Sequence, residues 1–138
     1  MSEDCVLDAS AALSVLVAGQ TSSAARTFFL DPSREWRAPR LLHLEVRNAI
    51  HRLERRGTLA IGSADARLAL LEGEIRFEDT NDAARLSRIV ARAREASLSV
   101  YDATYLEMAQ REGAALATRD AALLSAATLA NVTVFDLR

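Results

Sequence analysis

The chain has 138 residues, half of them apolar and about a quarter charged, with a formal net charge of −2, which is the composition of a globular protein large enough to bury a core without staples. All 17 basic residues are arginine, which excludes a Walker-type phosphate loop, a protein kinase and a Schiff-base enzyme, since each needs a lysine. The single cysteine, Cys5, excludes an internal disulfide and fits a reducing, cytoplasmic setting, no apolar run reaches the roughly 18 residues of a membrane span, and the acidic start MSEDCVLD is not a secretory signal.

In chain order, Asp4 to Leu7 is a short apolar run that reads as a buried strand closed by Asp8. Ala9 to Val17 then reads as a helix packed on the sheet, stopped at Gly19. Thr21-Ser22-Ser23 caps a second helix, Ala24 to Leu30, and Asp31-Pro32-Ser33 is a turn. Glu35 to Ala38 is a short second strand leading into Pro39, at the first turn of a helix where proline is tolerated. That third helix runs from about Arg40 to Arg56, with Leu42, Val46, Ala49, Ile50 and Leu53 as its apolar stripe. Both histidines, His43 and His51, lie on it, and no nucleophile motif supports a Ser-His-Asp triad. Ser63 to about Phe77 reads as a fourth helix with Ala66, Leu70 and Leu71 inward. Asn81-Asp82 caps a fifth, Ala83 to Ala96.

The stretch Ser99 to Asp120 reads as helix, turn, strand and the start of another helix. Its strand is Ala114 to Thr118. A helix from Ala121 to Leu129 and a last strand from Val132 to Leu137 follow. Strands alternating with helices predict a three-layer α/β/α domain around a mainly parallel sheet, and the whole chain, 1–138, reads as a single domain.

Four acids stand out. Asp8 and Asp120 each follow a strand and precede a helix, and Asp102 sits in the first turn of one. Each is also explained as a helix cap or a partner of the helix dipole, with Ser99-Val100-Tyr101-Asp102 fitting a capping box. Glu45 falls about 60° from Leu42 on a helical wheel, at the margin of the buried stripe, where a glutamate needing only solvent would not sit; a rim glutamate paired with a nearby arginine is the alternative. Jointly the pattern is more specific. Three aspartates at one end of a parallel sheet and a glutamate beside them would repel each other unless protonated or joined by a cation. An oxygen-only ligand set selects Mg²⁺, with Mn²⁺ as a substitute, over zinc.

The motifs V-L-D-A-S-A (Val6 to Ala11), P-R-L-L-H-L-E-V-R-N-A (Pro39 to Ala49), S-V-Y-D-A-T-Y-L-E-M-A (Ser99 to Ala109) and A-L-A-T-R-D-A-A-L (Ala115 to Leu123) together resemble the PIN-domain ribonucleases, in particular the VapC-type toxins of toxin–antitoxin systems. The resemblance spans nearly the whole chain, with all four motifs in the family's order. It implies a Mg²⁺-dependent endoribonuclease with its acids at Asp8, Glu45, Asp102 and Asp120, and hydroxyls beside the metal at Ser10 and Thr118. Asp8 and Asp102 would hold the ion, Asp120 would act through water or a second site, and Glu45 would orient or deprotonate the attacking water. Arg47, Arg52 and Arg119 are candidates for flanking phosphates of an RNA substrate. The resemblance also implies a homodimer and a cognate antitoxin, in a groove lined by Phe28, Phe29, Leu30, Leu70 and Leu71 unless these are ordinary core. Two alternatives stay open: a silent PIN-fold module that binds RNA or a partner, and a metal-dependent phosphohydrolase acting on another substrate.

Overall fold

Strand β1 (Glu3–Leu7) ends in three residues with no exposure, Cys5, Val6 and Leu7. A parallel strand flanked on both sides and on both faces must be apolar in this way. In the computed structural model, which describes residues 3–138, β1 is the centre of a five-stranded parallel sheet. It pairs with β2 (Arg34–Pro39) on one side and β4 (Ala115–Thr118) on the other. β3 (Ile75–Glu78) extends the sheet beyond β2, and β5 (Val134–Asp136) extends it beyond β4, giving the order β3-β2-β1-β4-β5.

Parallel neighbours need crossovers, and helices supply them. α1 (Ala9–Leu16) and α2 (Ser23–Leu30) join β1 to β2, with a 3-10 turn at Ala18–Gln20 between them. α3 (Leu41–Arg55) and α4 (Asp65–Gly73) join β2 to β3. α5 (Ala83–Ala96) and α6 (Val100–Glu112) carry the chain back across the sheet to β4, and α7 (Ala121–Leu129) joins β4 to β5. α1 packs against α2, α3 and α4, α6 packs against α5 and α7, and both touch the sheet. The result is the three-layer α/β/α arrangement expected from the alternation of elements.

The fourth helix is shorter than the sequence predicts. It stops at Gly73, and Ile75–Glu78 is the edge strand β3, paired with Trp36 to Pro39 of β2. Its face is also turned. Ala64, Leu68 and Leu71 are buried, while Ala66 and Leu70 point to solvent. α6 is the opposite case. Every residue from Ala103 to Ala109 is buried, because the helix is flanked by α5, α7 and the sheet. Ser99 caps its start, accepting from the Asp102 amide at 3.0 Å. Gly113, at φ +62°, ends it in the left-handed conformation that glycine adopts without strain. Among the described residues, no helix is long and apolar enough to cross a membrane.

The strand order sets the place of any site. From β1 the chain moves outward through β2 to β3, then returns to lay β4 against the other side of β1. The carboxyl ends of β1 and β4 therefore flank the switch point, where the connecting loops part and leave a crevice.

Candidate active site

Asp8 follows β1 directly, and Asp120 follows β4 after Arg119. Both are helix N-caps: Asp8 Oδ1 accepts from the Ala11 amide at 2.8 Å, and Asp120 Oδ2 accepts from the Leu123 amide at 2.8 Å. The capping explanation is therefore correct for both, and for Asp8 it is incomplete. Ser10 Oγ donates to Asp8 Oδ1 at 2.7 Å, and Thr118 Oγ1 donates to Asp8 Oδ2. The two hydroxyls in turn accept backbone donors from the β4 side. The Arg119 amide reaches Ser10 at 2.8 Å and the Asp120 amide reaches Thr118 at 3.0 Å. Each hydroxyl has one proton, and each gives it to Asp8. The ring ties the end of β1 to the end of β4 and presents Asp8 with donors only, which is the arrangement that suits an ionised carboxylate.

Burial opposes that ionisation. Asp8 is 5% exposed. Desolvation pushes its carboxyl up to about 6, against the lowering effect of the bonds from Thr118, Ala11 and Ser10, and the charge of Asp102 raises it further. Glu45, one turn into α3, is raised by its own burial and by Asp102, while a hydrogen bond from Tyr105 lowers it. Asp102, in the first turn of α6, is raised by burial and then by the charge of Asp120, with Ser99 opposing. The four acids thus form one electrostatic group with Asp102 in the middle: Asp8 and Glu45 feel Asp102, and Asp102 feels Asp120. None of the four takes part in an ion pair among the described residues.

Tyr105 is the residue that sequence reasoning missed. It has no exposure, and its hydroxyl donates to Glu45 Oε1 at 2.6 Å, bridging α6 to α3. Burial, the bond to Glu45 and the charges of Glu45, Asp8 and Asp102 all raise its pKa, so it stays a neutral donor. It stands one turn after Asp102, the spacing that puts two residues on the same helix face.

The arginine candidates separate. Arg47 is held bidentately by Glu72, at 2.7 and 2.8 Å. His43 bonds to the same carboxylate and stacks on Phe77, its ring centroid 3.9 Å away. Arg52 and Arg119 have no carboxylate partner among the described residues; Arg119 Nη1 donates to Gln20. The groove residues separate too. Phe28 and Leu71 are core, whereas Leu30 and Leu70 are 75% and 73% exposed.

Among the described residues, no three His, Cys, Asp or Glu side chains stand close enough together to hold a metal ion as the chain is folded here. The donor chemistry nonetheless fits a hard divalent cation. All four donors are carboxylates, mutually repelling and uncompensated, and a Mg²⁺-sized ion takes one or two carboxylates directly and keeps several waters. Asp8 and Asp102 would hold it, with Asp120 completing the oxygen shell.

The PIN domain family model matches residues 5–129. The chain belongs to the PIN domain family. Among solved structures, this PIN domain is similar to PAE2754 from Pyrobaculum aerophilum at 23% identity, covering 98% of this chain and 91% of that one with a TM-score of 0.75. It is also similar to VapBC2 from Rickettsia felis bound to a promoter DNA fragment, at 10% identity, 98% and 99% coverage and a TM-score of 0.69. A third likeness is to VapC20 of Mycobacterium tuberculosis, a Sarcin-Ricin loop cleaving toxin, at 20% identity, 88% and 94% coverage and a TM-score of 0.62. The comparison with curated proteins found no match.

Proposed function

We propose that this PIN domain is a Mg²⁺-dependent endoribonuclease and the toxin of a VapBC-like toxin–antitoxin pair, with Mn²⁺ able to replace Mg²⁺. The observation that carries the reading is the uncompensated group of four carboxylates at the switch point of the sheet. Asp8, wired by donors to stay ionised, and Asp102 would hold the cation, and Asp120 would add its free oxygen. The chemistry a bound cation would supply is charge to offset the scissile phosphate and a lower pKa for the attacking water. Glu45 takes the proton of the attacking water through the oxygen that Tyr105 leaves free, and Tyr105 fixes the carboxylate for that task. The water oxygen bonds to phosphorus as the P–O bond to one ester oxygen breaks, and that oxygen takes a proton from solvent while Glu45 later returns its own to solvent.

The solved neighbours support the toxin reading, since one is named VapBC2 and another is a Sarcin-Ricin loop cleaving toxin. The cleft between α2 and β2, about 530 Å³, sets the apolar Phe29, Leu30, Pro32 and Trp36 among charges of both signs, Arg34, Arg37 and Arg76 with Asp31, Glu35 and Glu74, and suits an amphipathic antitoxin segment. The chain would work as a homodimer, in the cytoplasm.

The test is cleavage of total cellular RNA by protein freed of any partner, with Asp8→Ala and Asp102→Ala as controls. Discrete cuts that need Mg²⁺ and vanish in both variants support the reading. An intact fold that cuts nothing with Mg²⁺ or Mn²⁺ sinks it, and cutting of single-stranded DNA in preference to RNA redirects it to another phosphodiester.

A further inference from the structure

The acid group would repel the substrate it is meant to cut, because every flanking phosphate is an anion. A nuclease built this way needs cations close by that are not already taken by carboxylates. Several arginines fail that test. Arg37 and Arg111 share Glu78 and Glu112, and Arg47 is clamped by Glu72.

Three arginines pass it together. Arg52 and Arg56 project from α3 and line a cleft of about 160 Å³ with Leu13 of α1, Gln20 of the 3-10 turn, Ala49 and Leu53. No acid lines this cleft. Glu45, Ala49, Arg52 and Arg56 are spaced i, i+4, i+7 and i+11, which places them within about 60° of one another on the helix. At 1.5 Å per residue, Arg52 and Arg56 stand roughly 10 and 16 Å along α3 from Glu45. The third arginine closes the gap. Arg119 precedes Asp120, its amide is anchored on Ser10, and its guanidinium donates to Gln20, which lines the cleft. The Nε of Arg119 is buried without a hydrogen-bond partner.

The geometry points to a phosphate track, Arg119 to Arg52 to Arg56, that holds the backbone of the RNA strand on one side of the scissile bond. The inference rests on the nuclease reading and adds to it the path of the substrate. Gln20 acts as a positioning residue, holding the Arg119 guanidinium at the edge of the cleft. The contacts are to phosphates and carry no base identity, so they set the register of the strand and not its sequence preference.

The experiment measures binding of a fluorescein-labelled single-stranded RNA to the whole chain by anisotropy. EDTA is present to prevent cutting, and the salt concentration is varied. Each lost phosphate contact lowers the log–log salt slope by about 0.7 for a single strand. The double variant Arg52→Ala/Arg56→Ala should therefore lose about 1.4 from the slope and bind roughly tenfold more weakly in moderate salt. With Mg²⁺ added, its KM should rise while kcat holds. Arg94→Ala, on α5, removes a comparable unpaired arginine away from the track and should change neither. Arg52 and Arg56 are exposed, so circular dichroism and melting should match wild type. Wild type that cuts RNA, with slope and KM unchanged in the double variant, overturns the track alone. Wild type that neither binds nor cuts RNA overturns the nuclease reading and the track with it.

Discussion

The two ends of α6 hold the same kind of side chain in opposite circumstances. In its last turns, Glu107 is 3% exposed and Glu112 is partly buried, and each is met by an arginine. Arg111 reaches Glu107 at 3.0 Å, Glu112 at 2.5 Å and Glu78 at 3.3 Å. Arg37 adds contacts to Asp4, Glu78 and Glu112, and Arg88 lies 3.6 Å from Glu107. In the first turn, Asp102 feels the charge of Asp120 and is felt by Asp8 and Glu45, and among the described residues no arginine pairs with any of the four. A chain with 17 arginines did not lack cations to place there. Where burial of an acid serves the fold, the sequence supplies the counter-charge. Where it does not, the counter-charge is left for something that comes from outside.

The largest effect should come from emptying the uncompensated end. Asp8→Ala and Asp102→Ala each remove several kcal/mol of charge stabilisation, a rate loss on the order of a thousandfold in an RNA cleavage assay. The same comparison predicts the reverse for stability. Burial pushes the Asp8 carboxyl up to about 6, from an ordinary value near 3.8. A raised carboxylate stabilises the fold below its unfolded pKa and loses that contribution as pH climbs through the folded one. By pH 7 the metal-free protein should carry a cost of about 3 kcal/mol from this group.

Asp8→Asn removes that cost. Its oxygen still accepts from Ser10 and Ala11, and the Thr118 proton can turn to Ser10 Oγ, 3.1 Å away. Metal-free Asp8→Asn should melt several degrees above wild type at pH 7, with the gap closing near pH 4. Mg²⁺ should raise the melting point of wild type only. A variant that melts lower than wild type at pH 7 would break the contrast between the two ends of α6.

At the compensated end, Arg111→Met leaves Glu107 buried without its main partner. It should cost about 3 kcal/mol in urea denaturation, and Mg²⁺ should restore none of it. Tyr105→Phe sharpens the picture at the active end. It should lower kcat by roughly ten- to a hundredfold, as loss of an orienting partner does. It also removes the bond that lowers the Glu45 pKa, so the acid limb of the pH–rate profile should move to higher pH. The smallest change is Ser99→Ala, which removes the α6 cap and should cost about 1 kcal/mol of stability.

The acids were legible because topology, not fine packing, fixes them. A residue just past a parallel strand must face the crevice end, and a capping box marks where a helix starts. That context placed Asp8, Asp102 and Asp120 at the crevice end and a helical wheel placed Glu45 at the margin of a buried stripe, while their part as a metal-holding set came from the motif resemblance and stands as a proposal. β3 was not legible. Leu68, Leu71 and Ile75 continue a helical spacing across Gly73, and only the pairing with β2 turns Ile75–Glu78 into a strand. The face of α4 was misjudged because Leu70 is as apolar as Leu68 and the wheel alone does not say which meets α1. Tyr105 reads as one more core residue of α6. That its hydroxyl meets a glutamate sixty positions earlier is a fact of α3 lying beside α6. Arg47 looked as free as Arg52 until Glu72 of α4 came alongside.

The sole cysteine sits in the middle strand of this sheet, flanked by Trp36 on one side and Ala115 on the other. Burial raises its thiol to about 12, so it neither ionises nor meets reagent while the sheet is closed. Modification of Cys5 by a thiol-specific dye therefore keeps time for the whole molecule, since only opening of the sheet centre starts the reaction. In a dye solution the chain carries its own stopwatch, and anything that fastens β1 to β4 from the crevice side will slow its hand.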